Sequence, residues 1–149
     1  MNKEEFVHKT NIQVRFGEVD MAGVVNNAVY LRYFEHARLE YMKACGLMPP
    51  GGIFSDGHLY FIVRNEINYC DFARYDDELI VYTRVSFVKN TSYGFEHVIE
   101  NAKTGSIIAD GKGVIVHVDA KTRKSAPMDE SVYEKIKSFD PNVKIIRED

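Results

Sequence analysis

The chain has 149 residues, 45% hydrophobic and 28% charged, with a formal net charge of −3. This suits one globular domain over residues 1–149 and argues against a nucleic-acid or membrane-surface binder held by bulk positive charge. Cys45 and Cys70 have no metal-type or C-x-x-C spacing, the first nine residues lack the apolar run of a signal peptide, and no stretch approaches a membrane span, so a reduced, cytoplasmic protein is expected.

Residues 1–9 read as a frayed lead-in. Residues 11–17 alternate, with Ile12, Val14 and Phe16 on one face, as a half-buried strand does. Residues 18–27 break the alternation and form a turn. A helix is expected to start near Asn26 or Asn27, because an asparagine oxygen accepts from the orphan amides of a first turn. Tyr30, Tyr33, Phe34, Ala37, Tyr41, Ala44 and Cys45 then recur at steps of three and four and give one apolar face. Gly46 and the Pro49-Pro50-Gly51-Gly52 run stop the helix after about 18 residues.

The period then becomes two. Residues 58–72 put Leu59, Phe61, Val63, Ile67 and Tyr69 on one face; residues 78–88 put Leu79, Val81, Val85 and Phe87 together. Residues 92–100 and 106–118 form two more strands, the second with Ile107, Ala109, Ile115 and His117 on one face. Short turns between these strands mean antiparallel pairing. Gly111 and Gly113 inside the last one mark a bend or a close backbone approach. Residues 127–139 form a short tail helix with Val132, Ile136 and Phe139 inward, and the last ten residues are loose. The expected architecture is α+β: one long helix against a strongly curved antiparallel sheet of about five strands. The sheet's other face stays apolar through Tyr60, Ile62, Phe72, Ile80, Tyr82 and Val88, and an unpaired edge favours an oligomer.

Asp20 follows a strand and precedes a helix start. A carboxylate there serves as nucleophile or general base, with the helix amides as oxyanion donors, or else it closes a turn; the residues alone leave both open. Glu18 is a weaker candidate on a strand end. Glu66 interrupts its strand and either orients a water or pairs with Arg64 or Arg84. Tyr30 is kept as a pocket wall, and His97 and His117 as structural histidines. The five histidines show no metal-ligand spacing, no Gly-rich phosphate loop is present, and no cofactor is expected.

Residues 14–45 resemble the 4-hydroxybenzoyl-CoA thioesterase-like acyl-CoA thioesterases of the hotdog fold. The matching positions are Asp20, Gly23, Val24-Val25-Asn26-Asn27, Tyr30, Tyr33-Phe34-Glu35 and Ala37-Arg38. Asn68-Tyr69 and residues 73–79 resemble the family's second strand and its turn. The resemblance implies acyl-CoA hydrolysis, with Asp20 as nucleophile or general base and the backbone amide of Asn27 as donor to the thioester oxygen. It implies a homo-oligomer, a dimer or paired dimers in a homotetramer, with sites at the subunit interface. Gly23, Val25, Asn26, Tyr30 and Glu66 are then candidate substrate contacts. A CoA substrate also calls for cations, for which Arg74, Lys89 and Arg123 are candidates, and Thr91 and Ser92 are candidates for the pantetheine arm. Some members carry histidine where this chain has Asn27; the expected donor is backbone, so Asp20's role stands. The competing readings are an acyl-CoA or acyl-carrier binding module, an acyl-carrier-protein thioesterase, and a hotdog dehydratase. The last wants a helix histidine that the Asp20–Asn27 motif lacks.

Overall fold

The computed structural model describes residues 2–52 and 55–147. The elements in order are β1 (His8–Gln13), α1 (Val29–Cys45), β2 (His58–Tyr69), β3 (Glu78–Val88), β4 (Ser92–Asn101), β5 (Ile107–Asp119), α2 (Glu130–Phe139) and β6 (Lys144–Ile145). The sheet order is β1–β3–β4–β5–β2, with β6 pairing in parallel with the end of β3. All other pairings are antiparallel. The expected helix wrapped by a curved sheet is therefore observed. The sheet has one more strand than expected, because the short β6 comes from the tail.

The helix stops where the sequence says it should. Gly46 takes φ 82° and its amide returns to the Lys43 and Met42 carbonyls, a left-handed cap that costs glycine nothing. The start lies a little later than expected, at Val29. The core face of α1 divides between two clusters. Tyr30, Tyr33, Phe34 and Ala37 pack with Val14, Val25, Leu79, Val81, Ile99 and Ala109 at one end. Tyr41 and Cys45 pack with Val85, Val88, Phe95 and Ile115, and with Tyr133 and Ile136 of α2, at the other.

Three register slips interrupt the sheet among the described residues, at Ile62/Arg64, Val85/Phe87 and Ile99/Glu100, and the first two correct the facing of their strands. In β2 the register slips between Ile62 and Arg64. Before the slip, Tyr60 and Ile62 face α1; after it, Ile67 joins the core and Tyr69 stacks its edge on Tyr30. Phe61 and Val63 lie outside the groove that Tyr60 and Ile62 line beside α1 and outside both clusters, so residues 59–63 and 67–69 do not share a face as expected. In β3 a slip between Val85 and Phe87 sends Val88 into the core and leaves Phe87 outside it.

Neither chain end is loose within the described residues. Phe6 is buried behind a 3-10 turn at Lys3–Glu5, and Val143 is buried just before β6. Asp140 anchors that tail: its Oδ2 accepts from Tyr41 Oη at 2.9 Å and from the Val85 amide at 2.8 Å. The remainder of the expected loose ends, residues 1 and 148–149, lies outside the described residues.

Candidate active site

The sheet releases the chain at Val14, whose amide and carbonyl bond to Asp77 and Asp76. A 3-10 turn at Phe16–Glu18 follows, rather than more strand. Glu18 fastens it: its Oε1 accepts from the Arg15 amide at 2.8 Å and from Tyr33 Oη at 3.0 Å. That carboxylate is a structural tie between the turn and α1, not a solvated strand end.

The loop then folds on itself. A bridge pairs Val19 with Val25, and the Asp20 amide donates to the Val24 carbonyl at 2.9 Å. Gly23, at φ 81°, returns its amide to the Asp20 carbonyl at 3.0 Å. Val25 is buried, and its amide donates to Ala73 at 2.8 Å, which nails this small hairpin to the segment after β2. Asp20 itself is exposed, and its Oδ1 accepts from the Ala22 amide at 2.8 Å. Its other oxygen makes no bond among the described residues.

Asn26 leads into the helix without being its cap residue. Its Oδ1 accepts from the Ala28 amide and its carbonyl from the Val29 amide, both at 2.9 Å. The Asn27 carbonyl accepts from Tyr69 Oη at 3.0 Å. The Asn27 amide donates to no group among the described residues. An unused amide at the positive end of a helix is a ready donor for an oxyanion. Tyr30 is 3% exposed and accepts a long 3.4 Å contact from the Ala73 amide, so it is a core aromatic supporting the loop from below.

The other candidate residues fall elsewhere. Glu66 lies exposed on the outer sheet face and pairs with Arg64 at 2.7 Å, while Arg84 pairs with Glu96 and Glu5. Arg74 is exposed in the turn before β3, at the Asp20 end, with its amide held by Asp77. Lys89, Thr91 and Ser92 sit in the β3–β4 hairpin, and Arg123 in the turn after β5 at φ 63°. β3 starts beside Gln13 and runs 11 residues to that hairpin, so these four lie about 35 Å from the Asp20 end within one chain.

That far end holds a feature the sequence reading missed. A cavity of about 620 Å³ opens between the carboxyl end of α1, α2 and the sheet. Asp56, His58, Tyr60 and His117 form its polar wall; the two imidazoles stack with centroids 4.2 Å apart. His117 Nδ1 donates to the Ala126 carbonyl at 2.9 Å, and burial lowers its pKa. Tyr60 is pushed up to about 12 by burial and by the Asp56 carboxylate. Only the pairing of Tyr60 with His117 across β2 and β5 brings these residues together, and spacing along the chain does not reveal it. His97 is a buried core histidine, stacked on Phe34 and in contact with Thr83 Oγ1 at 3.0 Å.

Residues 14–136 match the model of the thioesterase-like superfamily. The chain belongs to this family. Among curated relatives, this thioesterase-like chain is 30% identical over 116 residues to "acyl-acyl carrier protein thioesterase ATL3, chloroplastic" of Arabidopsis thaliana, which covers 78% of the chain and 60% of the relative. It is 37% identical over 86 residues to "acyl-CoA thioesterase YbgC" of Haemophilus influenzae, covering 57% and 62%. The chain thus spans 60% to 62% of the length of the first curated relatives it matches. Among solved structures, a Thermus thermophilus thioesterase described as complexed with coenzyme A and Zn aligns with TM-score 0.78 at 29% identity, over 93% of this chain and 97% of that one. A Synechocystis 1,4-dihydroxy-2-naphthoyl-CoA thioesterase, Slr0204, aligns with TM-score 0.78 at 22% identity, over 86% and 93%, a likeness of fold. The fold is the hotdog fold.

Proposed function

We propose that the chain hydrolyses acyl thioesters of coenzyme A. The observation that carries the reading is the pairing, on one self-bonded loop, of an exposed aspartate with an unused helix-entry amide. The thioester oxygen accepts from the Asn27 amide, which stabilises the charge that develops there. Asp20 then either attacks the carbonyl carbon through its unbonded oxygen or takes a proton from a water that attacks. In the first route the carbon–sulfur bond breaks to leave an acyl–Asp20 anhydride and CoA thiolate, and a water then hydrolyses the anhydride, freeing Asp20 and the carboxylic acid while its proton goes to the thiolate; in the second the water oxygen joins the carbonyl carbon, the carbon–sulfur bond breaks, and the proton taken up by Asp20 passes to the CoA sulfur.

Two copies pair antiparallel through their β2 edges in this reading. β2 is an edge strand of 12 residues with Phe61, Val63 and Tyr69 exposed, the kind of edge proteins normally cover. Antiparallel pairing lays the Asp20 end of one copy beside the other copy's cavity end. The acyl group then extends toward that cavity, and Lys89, Thr91, Ser92 and Arg123 come within reach of CoA as they cannot within one chain. Gly23, Val25, Asn26 and Arg74 line the approach to Asp20. Dimers pair further into a homotetramer. The free thiols of Cys45 and Cys70 suit a reducing cytoplasm, and no helix among the described residues is long and apolar enough to cross a membrane.

The test is thiol release from aromatic, short and long acyl-CoAs, with acyl-carrier-protein thioesters as a second arm because the Arabidopsis relative is named for that carrier. Wild type turns over at least one substrate, and Asp20→Asn binds it without turnover. A wild type inert across the panel leaves the binding-module reading in its place. Labelled-water oxygen entering Asp20 in a single turnover supports the nucleophilic route through an acyl–Asp20 anhydride.

A further inference from the structure

The helix α1 carries a second stripe besides its core face. Glu35, Arg38, Leu39 and Met42 recur at the spacing of one helix flank and line a groove of about 330 Å³ with Tyr60 and Ile62 of β2. Arg38 is only 8% exposed, yet its guanidinium makes no ion pair or hydrogen bond among the described residues. A charge so largely withdrawn from water without a partner is unfavourable, and a guanidinium does not escape by losing its proton. Burial lowers the Arg38 pKa, and the negative charge of Glu35 offsets part of that, but the two side chains of one chain do not meet. Glu35 is exposed on the same flank and likewise makes no ion pair among the described residues. Both charges wait on a groove bordered by the unpaired edge of the sheet.

We infer that two copies of the chain lock together through reciprocal ion pairs, Arg38 of each copy entering the groove region against Glu35 of the other. The spacing supplies the symmetry. Residues three apart on a helix are neighbours on its surface. When two such helices lie antiparallel about a two-fold axis between positions 36 and 37, residue 35 of one faces residue 38 of the other, twice. Self-complementarity of this kind is what a two-fold interface requires. Tyr60 and Ile62 border the same groove, so the middle of β2 lies level with the Glu35–Arg38 turn. One axis therefore serves both the edge strands and the helices. The inference rests on the two-copy reading given above and not on hydrolysis.

Charge reversal tests it by sedimentation velocity. Wild type sediments as a dimer or a larger even assembly. Glu35→Arg, a change at an exposed site, sets the introduced guanidinium against Arg38 twice and weakens self-association by roughly 100-fold. Arg38→Glu sets two carboxylates together and does the same. An equimolar mixture of the two variants forms a heterodimer, in which every pair is again of opposite sign. The double variant Glu35→Arg/Arg38→Glu self-associates like wild type, which keeps the test decisive even if Arg38→Glu alone does not fold. A monomeric wild type, a Glu35→Arg variant that associates like wild type, or a double variant that stays apart overturns the pairing. Thiol release is measured on the same samples. Inactivity with intact reciprocal pairing sinks the hydrolysis reading and leaves this one standing; activity without the pairing does the reverse.

Discussion

Asp20 and Asp140 serve opposite ends of α1 and are treated in opposite ways. Asp140 is 1% exposed, and its Oδ2 takes hydrogen bonds from Tyr41 and from the Val85 amide, so one carboxylate ties α1, β3 and the tail together. Asp20 is exposed on a loop that is rigid without it, since Val19–Val25, Asp20–Gly23 and Val25–Ala73 are all joined through backbone. The Asp20 side chain contributes one bond, to Ala22. A carboxylate with buried donors is spent on architecture, whereas the loop that holds Asp20 out stands without its side chain.

The contrast is broken most directly by activity. Asp20→Asn should lower thiol release by roughly 10²- to 10⁴-fold while the urea midpoint stays at the wild-type value; equal turnover would end the distinction. Asp140→Ala should do the converse. It strands the Tyr41 hydroxyl and the Val85 amide in the core at a cost of about 3 kcal/mol, read by urea denaturation, with turnover per folded molecule retained. The pH dependence sharpens the same point. Burial raises the Asp140 pKa, although its two donors pull the other way. The native state therefore keeps this proton longer than the unfolded one. The stability Asp140 contributes is complete below the unfolded value of about 4 and declines as pH rises through the higher folded value. The stability difference between wild type and Asp140→Asn should shrink from acid toward neutral pH in parallel urea titrations; a difference that grows would reverse the assignment.

Two smaller effects bound the comparison. A Cβ on Gly111 would lie 2.6 Å from the Glu66 carbonyl and 2.6 Å from Phe34 Cε2, so Gly111→Ala should cost about 1–3 kcal/mol by thermal or urea unfolding. Arg147 pairs with Glu130 at the surface and lies over the ring of the buried Tyr133. Arg147→Met should scarcely move the midpoint; a large shift would mean that the tail depends on this corner more than on Asp140.

The sequence made the helix legible because Tyr30 through Cys45 keep one period and Gly46 ends it. The turns were legible for the same local reason. Facing along the strands was not, wherever a bulge intervened: Val88 reads as outward and Phe87 as inward until the slip beside Ser86 is known. Phe6 and Val143 escaped notice because a single apolar residue among charges has no period to betray it. At the site, the turn of Asp20 and the place of Asn27 were readable from motif. The distance from Lys89, Thr91, Ser92 and Arg123 to that turn was not, because proximity across a sheet depends on strand direction and not on residue type. In the sequence Arg38 is only a motif position, since burial of a guanidinium leaves no mark there.

The slip at Val63 gives β2 a change of parity. Even-numbered residues look inward before it, through Tyr60 and Ile62, and odd-numbered ones after it, through Ile67 and Tyr69. One extra residue thus lets a single strand serve two cores, the cavity end and the Asp20 end, with different phases. Loss of that residue would turn one half of the strand inside out and exchange Ile67 and Tyr69 for Glu66 and Asn68 beneath α1. Chain length is fixed to the residue at this point, whereas the connection from Gly46 to the start of β2 has no phase to keep.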